Sequence, residues 1–147
     1  MESTELLRFS QAIQISQIFN GLPSDAIQGL IESGSKIETA SGKPIVVENG
    51  WVPGLFIVLE GSAQVMKGGA PIHELIKGAF FGEMSLFGIA QGASATIQAK
   101  EKTTCLLINK VALETWGKQF QDAERLFLYR MCTELSRRLF ATSQKIT

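Results

Sequence analysis

The sequence predicts a mostly β domain with helices at both ends, an α+β arrangement built on a barrel or jelly roll. Residues 36–76 break into short runs of period two or of β-branched residues, glycine, proline and asparagine turns separate the runs, and apolar stripes of helical period flank them. With 147 residues and 45% hydrophobic content, the chain is long enough for one domain with its own core.

Taken in order, Leu6, Leu7, Ala12, Ile13, Ile15 and Ile18 form a loose helical stripe over residues 3–19 that ends at Asn20-Gly21. Leu22-Pro23-Ser24-Asp25 supplies a turn with Ser24 as N-cap, Ala26, Ile27, Leu30 and Ile31 fall at helical spacing, and Gly34 stops this second helix. The strands are KIETA, PIVVE, LFIVLE, SAQVM and PIHELI, punctuated by Ser41-Gly42-Lys43-Pro44, Asn49-Gly50, Pro53-Gly54, Gly61-Ser62 and Lys67-Gly68-Gly69. A further strand, Thr103 to Ile108, precedes an Asn109-capped helix through Trp116, and a long helix runs from Asp122 to the end. Trp51, at a turn before LFIVLE, is placed either at a pocket mouth or at the barrel end.

Composition excludes several function classes. Lys plus Arg equals Asp plus Glu at 14 each, so no net field draws the chain to nucleic acid or an anionic membrane. No run reaches the roughly eighteen apolar residues of a membrane span, and MESTELLRFS lacks the basic start and apolar run of a secretory signal. Cys105 and Cys132 have no CxxC spacing and read as free thiols in apolar surroundings, which fits a reducing cytoplasm. His73 is the lone histidine; without a ligand cluster or a nucleophile-base arrangement, neither a metal site, a cofactor nor an enzyme is expected.

The most informative segment is Phe81 to Ala99, FGEMSLFGIAQGASATIQA: a tight turn, one acid, a short helical turn, a small-residue loop and a strand. Gly82 lacks a Cβ and permits close backbone approach, the amides from Gly82 through Met84 to Ser85 can face an anion, and Glu83 can accept sugar hydroxyls. A buried Glu83 then needs such a partner, because a desolvated carboxylate without one is costly. Ser94 either bonds a phosphate or caps the loop. The segment resembles the phosphate-binding cassette of the cyclic-nucleotide-binding domain, especially that of bacterial regulators of the cAMP receptor protein type. Their Phe-Gly-Glu followed by Arg-Ser-Ala is matched in place by Phe81, Gly82, Glu83, Ser94 and Ala95. ENGWVPGLFIVLEGSAQV is similar to the family's glycine turn and strand ending in Glu-Gly.

The resemblance implies a β-roll of about eight strands, with cAMP or cGMP as effector. It departs at Ala93, where the family's arginine pairs with the cyclic phosphate; loss of one member of such a buried pair costs roughly 2–5 kcal/mol, or thirtyfold to several thousandfold in affinity. Impaired or altered cyclic nucleotide binding is therefore expected, with normal binding or a ligand-free protein-interaction scaffold as alternatives.

In the last helix, Leu128, Cys132, Leu135, Leu139, Thr142 and Ile146 form an a/d seam over about three heptads. A parallel homodimer is expected from it, with Cys132 facing its twin, while Phe127 and Met131 pack on the barrel and Arg130, Glu134, Arg137 and Arg138 face water. RRLFATSQK resembles the end of the family's dimerisation helix, which implies that Thr142 and Ser143 reach a purine base at the seam. The expected organisation is a sensor domain over residues 1–121 and its dimerisation helix over 122–147. No helix-turn-helix domain is expected, and the expected partners are a second copy, a nucleotide and another protein, without direct DNA or membrane contact.

Overall fold

The computed structural model describes residues 2–88 and 92–146, and side chains through Gln144. Eight strands are flanked by four helices, as the sequence predicts: α1 (Ser3–Gln14), α2 (Ser24–Ser33), β1 (Ser35–Thr39), β2 (Pro44–Val46), β3 (Leu55–Glu60), β4 (Ala63–Lys67), β5 (Ala70–Leu75), β6 (Phe80–Phe81), β7 (Thr96–Ala99), β8 (Thr103–Ile108), α3 (Lys110–Gln119) and α4 (Gln121–Ile146). A 3₁₀ turn, Glu83–Phe87, follows β6. The strands form two four-stranded antiparallel sheets, ordered β1-β8-β3-β6 and β2-β7-β4-β5.

The continuous apolar run of β3 is explained by burial on both faces. Leu55, Ile57 and Leu59 turn toward a core shared with the four helices, whereas Phe56 and Val58 enter a second core with Val46, Ala63, Leu75, Phe81, Ile97 and Cys105. Phe80 and Phe81 split in the same way, and Phe81 stacks on its register partner Phe56 at 4.8 Å. On the helical side, Trp116 donates from Nε1 to the Ala26 carbonyl at 2.8 Å, tying α3 to α2. Asn109 caps α3 by accepting from the Ala112 amide at 2.8 Å.

Two local expectations are corrected, and a third holds for a different physical reason. The first helix ends at Gln14, because a run of turns brings Ile18 and Phe19 into the core and stacks Phe19 on Phe127 at 4.9 Å. Asn20 Nδ2 donates to the Gln14 carbonyl at 2.7 Å, answering a carbonyl at the helix end. Ser24 is the first helical residue and not the cap, a place held by Pro23 without a side-chain bond. Gly34 ends α2 in extended backbone, and its need for glycine is space: a Cβ there would lie 2.7 Å from Leu106 Cδ1.

Candidate ligand cavity

The β2-β7-β4-β5 sheet, the turn at 76–79, the 3₁₀ turn, the loop at 92–95 and one face of α4 enclose a cavity of about 1070 Å³. Phe81, Gly82, Glu83, Met84, Ser85, Ala93, Ser94 and Ala95 all line it, so the cassette residues separated by the loop are brought together. Thr142 and Ser143 are not in the wall of this single chain; the Thr142 hydroxyl donates to the Arg138 carbonyl at 3.0 Å along the helix. Trp51 is 83% exposed and also lies outside the wall, whereas His73 is exposed on β5 and contributes to it.

Gly82 opens the 3₁₀ turn in the left-handed region at φ +82°, and the close approach it permits is to the chain itself. A Cβ at Gly82 would stand 2.4 Å from the Gly54 carbonyl oxygen. The Ser85 amide and hydroxyl both donate to the Gly82 carbonyl, at 3.2 and 2.6 Å. The amide cradle expected over Gly82 to Ser85 is thus reduced, since the Ser85 donors already have an acceptor. Across the cavity, Ala93 is fixed by its backbone: Asn49 N donates to its carbonyl at 2.7 Å and its own amide donates to Gly50 O at 2.9 Å. Its methyl packs against the inter-sheet core. Ser94 is exposed and its carbonyl accepts from Lys67 Nζ at 2.6 Å, while Ala95 is buried.

Glu83 is buried at 9% exposure, and its charge is met within the chain. Its partner is Arg138, whose Nη1 lies 3.2 Å from Oε1 and whose guanidinium sits 4.6 Å from the Phe80 ring centroid. Glu134, also buried, lies 3.5 Å from Arg138 Nε and is bonded by Arg137; Gln17, with its amide nitrogen turned inward, donates to both Glu134 oxygens at 2.7 and 3.0 Å. The wet-face expectation is corrected for Glu134, which is buried, whereas Arg138 remains exposed as expected and also reaches the cavity wall. The signal was in the spacing, because residues 127, 131, 134 and 138 continue one helical stripe at i, i+4, i+7 and i+11. Charged side chains at its lower end masked it.

Cys105 is a buried free thiol, which burial pushes up to about 12. Cys132 is exposed, contrary to the apolar surroundings expected for both cysteines. Among the described residues no group of three or more His, Cys, Asp or Glu is placed to hold a metal ion, and no helix is long and apolar enough to cross a membrane.

Comparison with known proteins agrees with this architecture. The family model described as the cyclic nucleotide-binding domain matches residues 36–119. A cGMP-dependent protein kinase of Toxoplasma gondii is 41% identical over 73 residues, 50% of this chain and 7% of the kinase. The Pycsar effector protein BcPycTIR of Burkholderia cepacia is 27% identical over 115 residues, 78% of this chain and 37% of the effector. The chain thus spans well under two thirds of either relative. Among solved structures, the Thermus thermophilus catabolite activator protein superposes with a TM-score of 0.75 at 23% identity, over 89% of this chain and 62% of that one. The regulatory subunit of a cAMP-independent protein kinase A from Trypanosoma cruzi, bound to guanosine, superposes at 0.67 and 15% identity, over 78% of this chain and 41% of that one. At such identities these two likenesses establish the fold. The cassette, the two-sheet roll and the family match over more than half of the chain lead to one conclusion: this chain belongs to the cyclic nucleotide-binding domain family.

Proposed function

We propose that the chain is a non-enzymatic regulatory module of the cytoplasm, homodimeric through α4, whose cavity takes a nucleoside-type ligand and binds cyclic nucleotides weakly. The observation that carries this reading is Ala93, a methyl in the cavity wall at the place where the resemblance calls for the phosphate guanidinium. A planar fork of charge-assisted donors has no substitute in a methyl group. The coupling to an output is supported by Glu134 and Arg138, since both belong to α4 and Arg138 holds Glu83. A ligand hydroxyl arriving at Glu83 alters the Arg138 contact and so biases where the end of α4 rests. The expected seam is supported by Leu128 and Leu139, 40% and 68% exposed, and by Cys132, which is also exposed.

Calorimetric titration with cAMP and cGMP tests the reading. Ala93→Arg is expected to bind a cyclic nucleotide roughly thirtyfold to several thousandfold more tightly than the unmodified chain. Equal affinities would overturn the account of Ala93. The second reading, a ligand-free scaffold, is favoured by the same exposed apolar residues of α4, and saturable binding of any nucleoside or nucleotide would exclude it.

A further inference from the structure

The acidic side chains of the cavity wall are already paired within the chain. Glu74 meets Lys100 at 2.9 Å, Glu134 meets Arg137 and Arg138, and Glu83 meets Arg138. Lys67 bonds the Ser94 carbonyl and is not part of the wall. Among the described residues the remaining cation of the wall is Lys77, which is exposed in the turn at 76–79, where solvent and salt screen it. A phosphodiester entering the loop side of the cavity would be desolvated there with no committed counter-charge, which is unfavourable.

Glu83 presents the opposite preference. Its Oε1 faces Arg138, and its Oε2 makes no hydrogen bond among the described residues although the residue is buried and lines the cavity. An ionised carboxylate accepts only, with lone pairs for several donors. The two adjacent hydroxyls of a ribose 2′,3′-diol match that capacity. A 3′,5′-cyclic phosphate removes one of those hydroxyls and adds a negative charge. Away from Glu83 the wall is apolar, with Val46, Val52, Val65, Leu75, Phe81 and Ile97, which suits the face of a heteroaromatic base.

We infer that this cavity selects an uncharged ribonucleoside, held by its 2′,3′-diol on Glu83, over the corresponding 3′,5′-cyclic nucleotide. The inference rests on the reading that the cavity is a ligand site. Phosphate is discriminated against by the missing cation, and the free diol is selected by the carboxylate. Glu83 becomes a specificity-determining residue.

The test is titration calorimetry of the full chain with adenosine, guanosine, their cyclic 3′,5′-monophosphates, 2′-deoxyadenosine, 2′-deoxyguanosine, 3′-deoxyadenosine and 3′-deoxyguanosine. The expected result is that adenosine or guanosine binds at least about tenfold more tightly than its own cyclic monophosphate, and that removal of either hydroxyl from the preferred nucleoside costs about tenfold or more. Glu83→Gln, checked for an unchanged circular dichroism spectrum and a cooperative melt, should lose that hydroxyl dependence. A cyclic monophosphate that binds as tightly as its nucleoside, or more tightly, overturns this inference and leaves the cavity a ligand site. Hydroxyl removal without effect overturns the role of Glu83. Absence of heat with every compound up to roughly 1 mM, a ligand energy of about 4 kcal/mol, overturns both this inference and the ligand-site reading beneath it.

Discussion

Gly82 joins two demands in one residue. Its φ of +82° lies where side chains are strained, and a Cβ there would stand 2.4 Å from the Gly54 carbonyl oxygen. Left-handed backbone alone costs a non-glycine residue about 1–3 kcal/mol, and the neighbouring backbone cannot yield as a flexible side chain does. Gly82→Ala is therefore expected to lower unfolding free energy by about 2 kcal/mol or more, read as a lower denaturant midpoint in urea; an unchanged midpoint would contradict the geometry. Cys105 makes a different prediction, in pH. Burial raises its thiol from 9.0 in the unfolded chain to about 12 in the fold, so the neutral thiol is what the native state stabilises. That contribution is fully present below pH 9 and is lost between about pH 9 and 12, at roughly 1.4 kcal/mol per pH unit. Unfolding free energy measured across this window should fall more steeply for the unmodified chain than for Cys105→Ala, and parallel slopes would remove the assignment. At the same scale, Glu83 was legible as a candidate from the sequence, whereas its partner was not. Arg138 lies fifty-five positions away, and no local pattern pairs an isolated acid with an arginine at that separation.

Among the elements, α4 carries two surfaces on one helix. Ala123, Phe127, Met131 and Glu134 are buried against the domain, and the stripe runs on to Arg138 at the cavity. The heptad positions behave unevenly: Leu128, Cys132 and Leu139 are exposed, whereas Leu135 is half-buried against the chain's own core. The Ile146 side chain lies outside the described residues. A charge at Leu135 would thus disturb the monomer as well as any seam. Leu128→Asp with Leu139→Asp is the cleaner test, because both residues are exposed in the single chain. Sedimentation equilibrium should show the unmodified chain as a dimer and the double variant as a monomer with an unchanged far-ultraviolet spectrum; a dimer that survives both charges would rule out this seam. The strands show why element existence was readable and element ends were not. LFIVLE, with five consecutive buried residues, could only be a strand covered on both sides or a short helix, and its flanking Pro53-Gly54 and Gly61 decided it. The first helix shows the converse. Its apolar stripe continues to Ile18, but Phe19 finds Phe127 and Trp116 only if the chain breaks after Gln14.

For the whole molecule, two cores are separated by the β1-β8-β3-β6 sheet: one lies under the helices and one lies between the sheets. The cavity belongs to the second side, yet α4 crosses from the helical core to the cavity wall, which is how a ligand can be felt by the helix proposed to pair two copies. By itself the sequence determined the α+β class, the strands and their turns, and the nearness of Phe81–Ser85 to Ala93–Ala95, because hydrophobic period, turn chemistry and a short motif are local properties. It also determined that position 93 carries no side-chain donor, since alanine has none whatever surrounds it. Only the tertiary structure decided that Arg138 is the partner of Glu83, that Ser85 already has its acceptor, and that Glu134 is buried at the cavity. Those outcomes depend on which distant charges meet in a desolvated space, and burial of a charged group is settled by its partners in three dimensions, not by its neighbours along the chain.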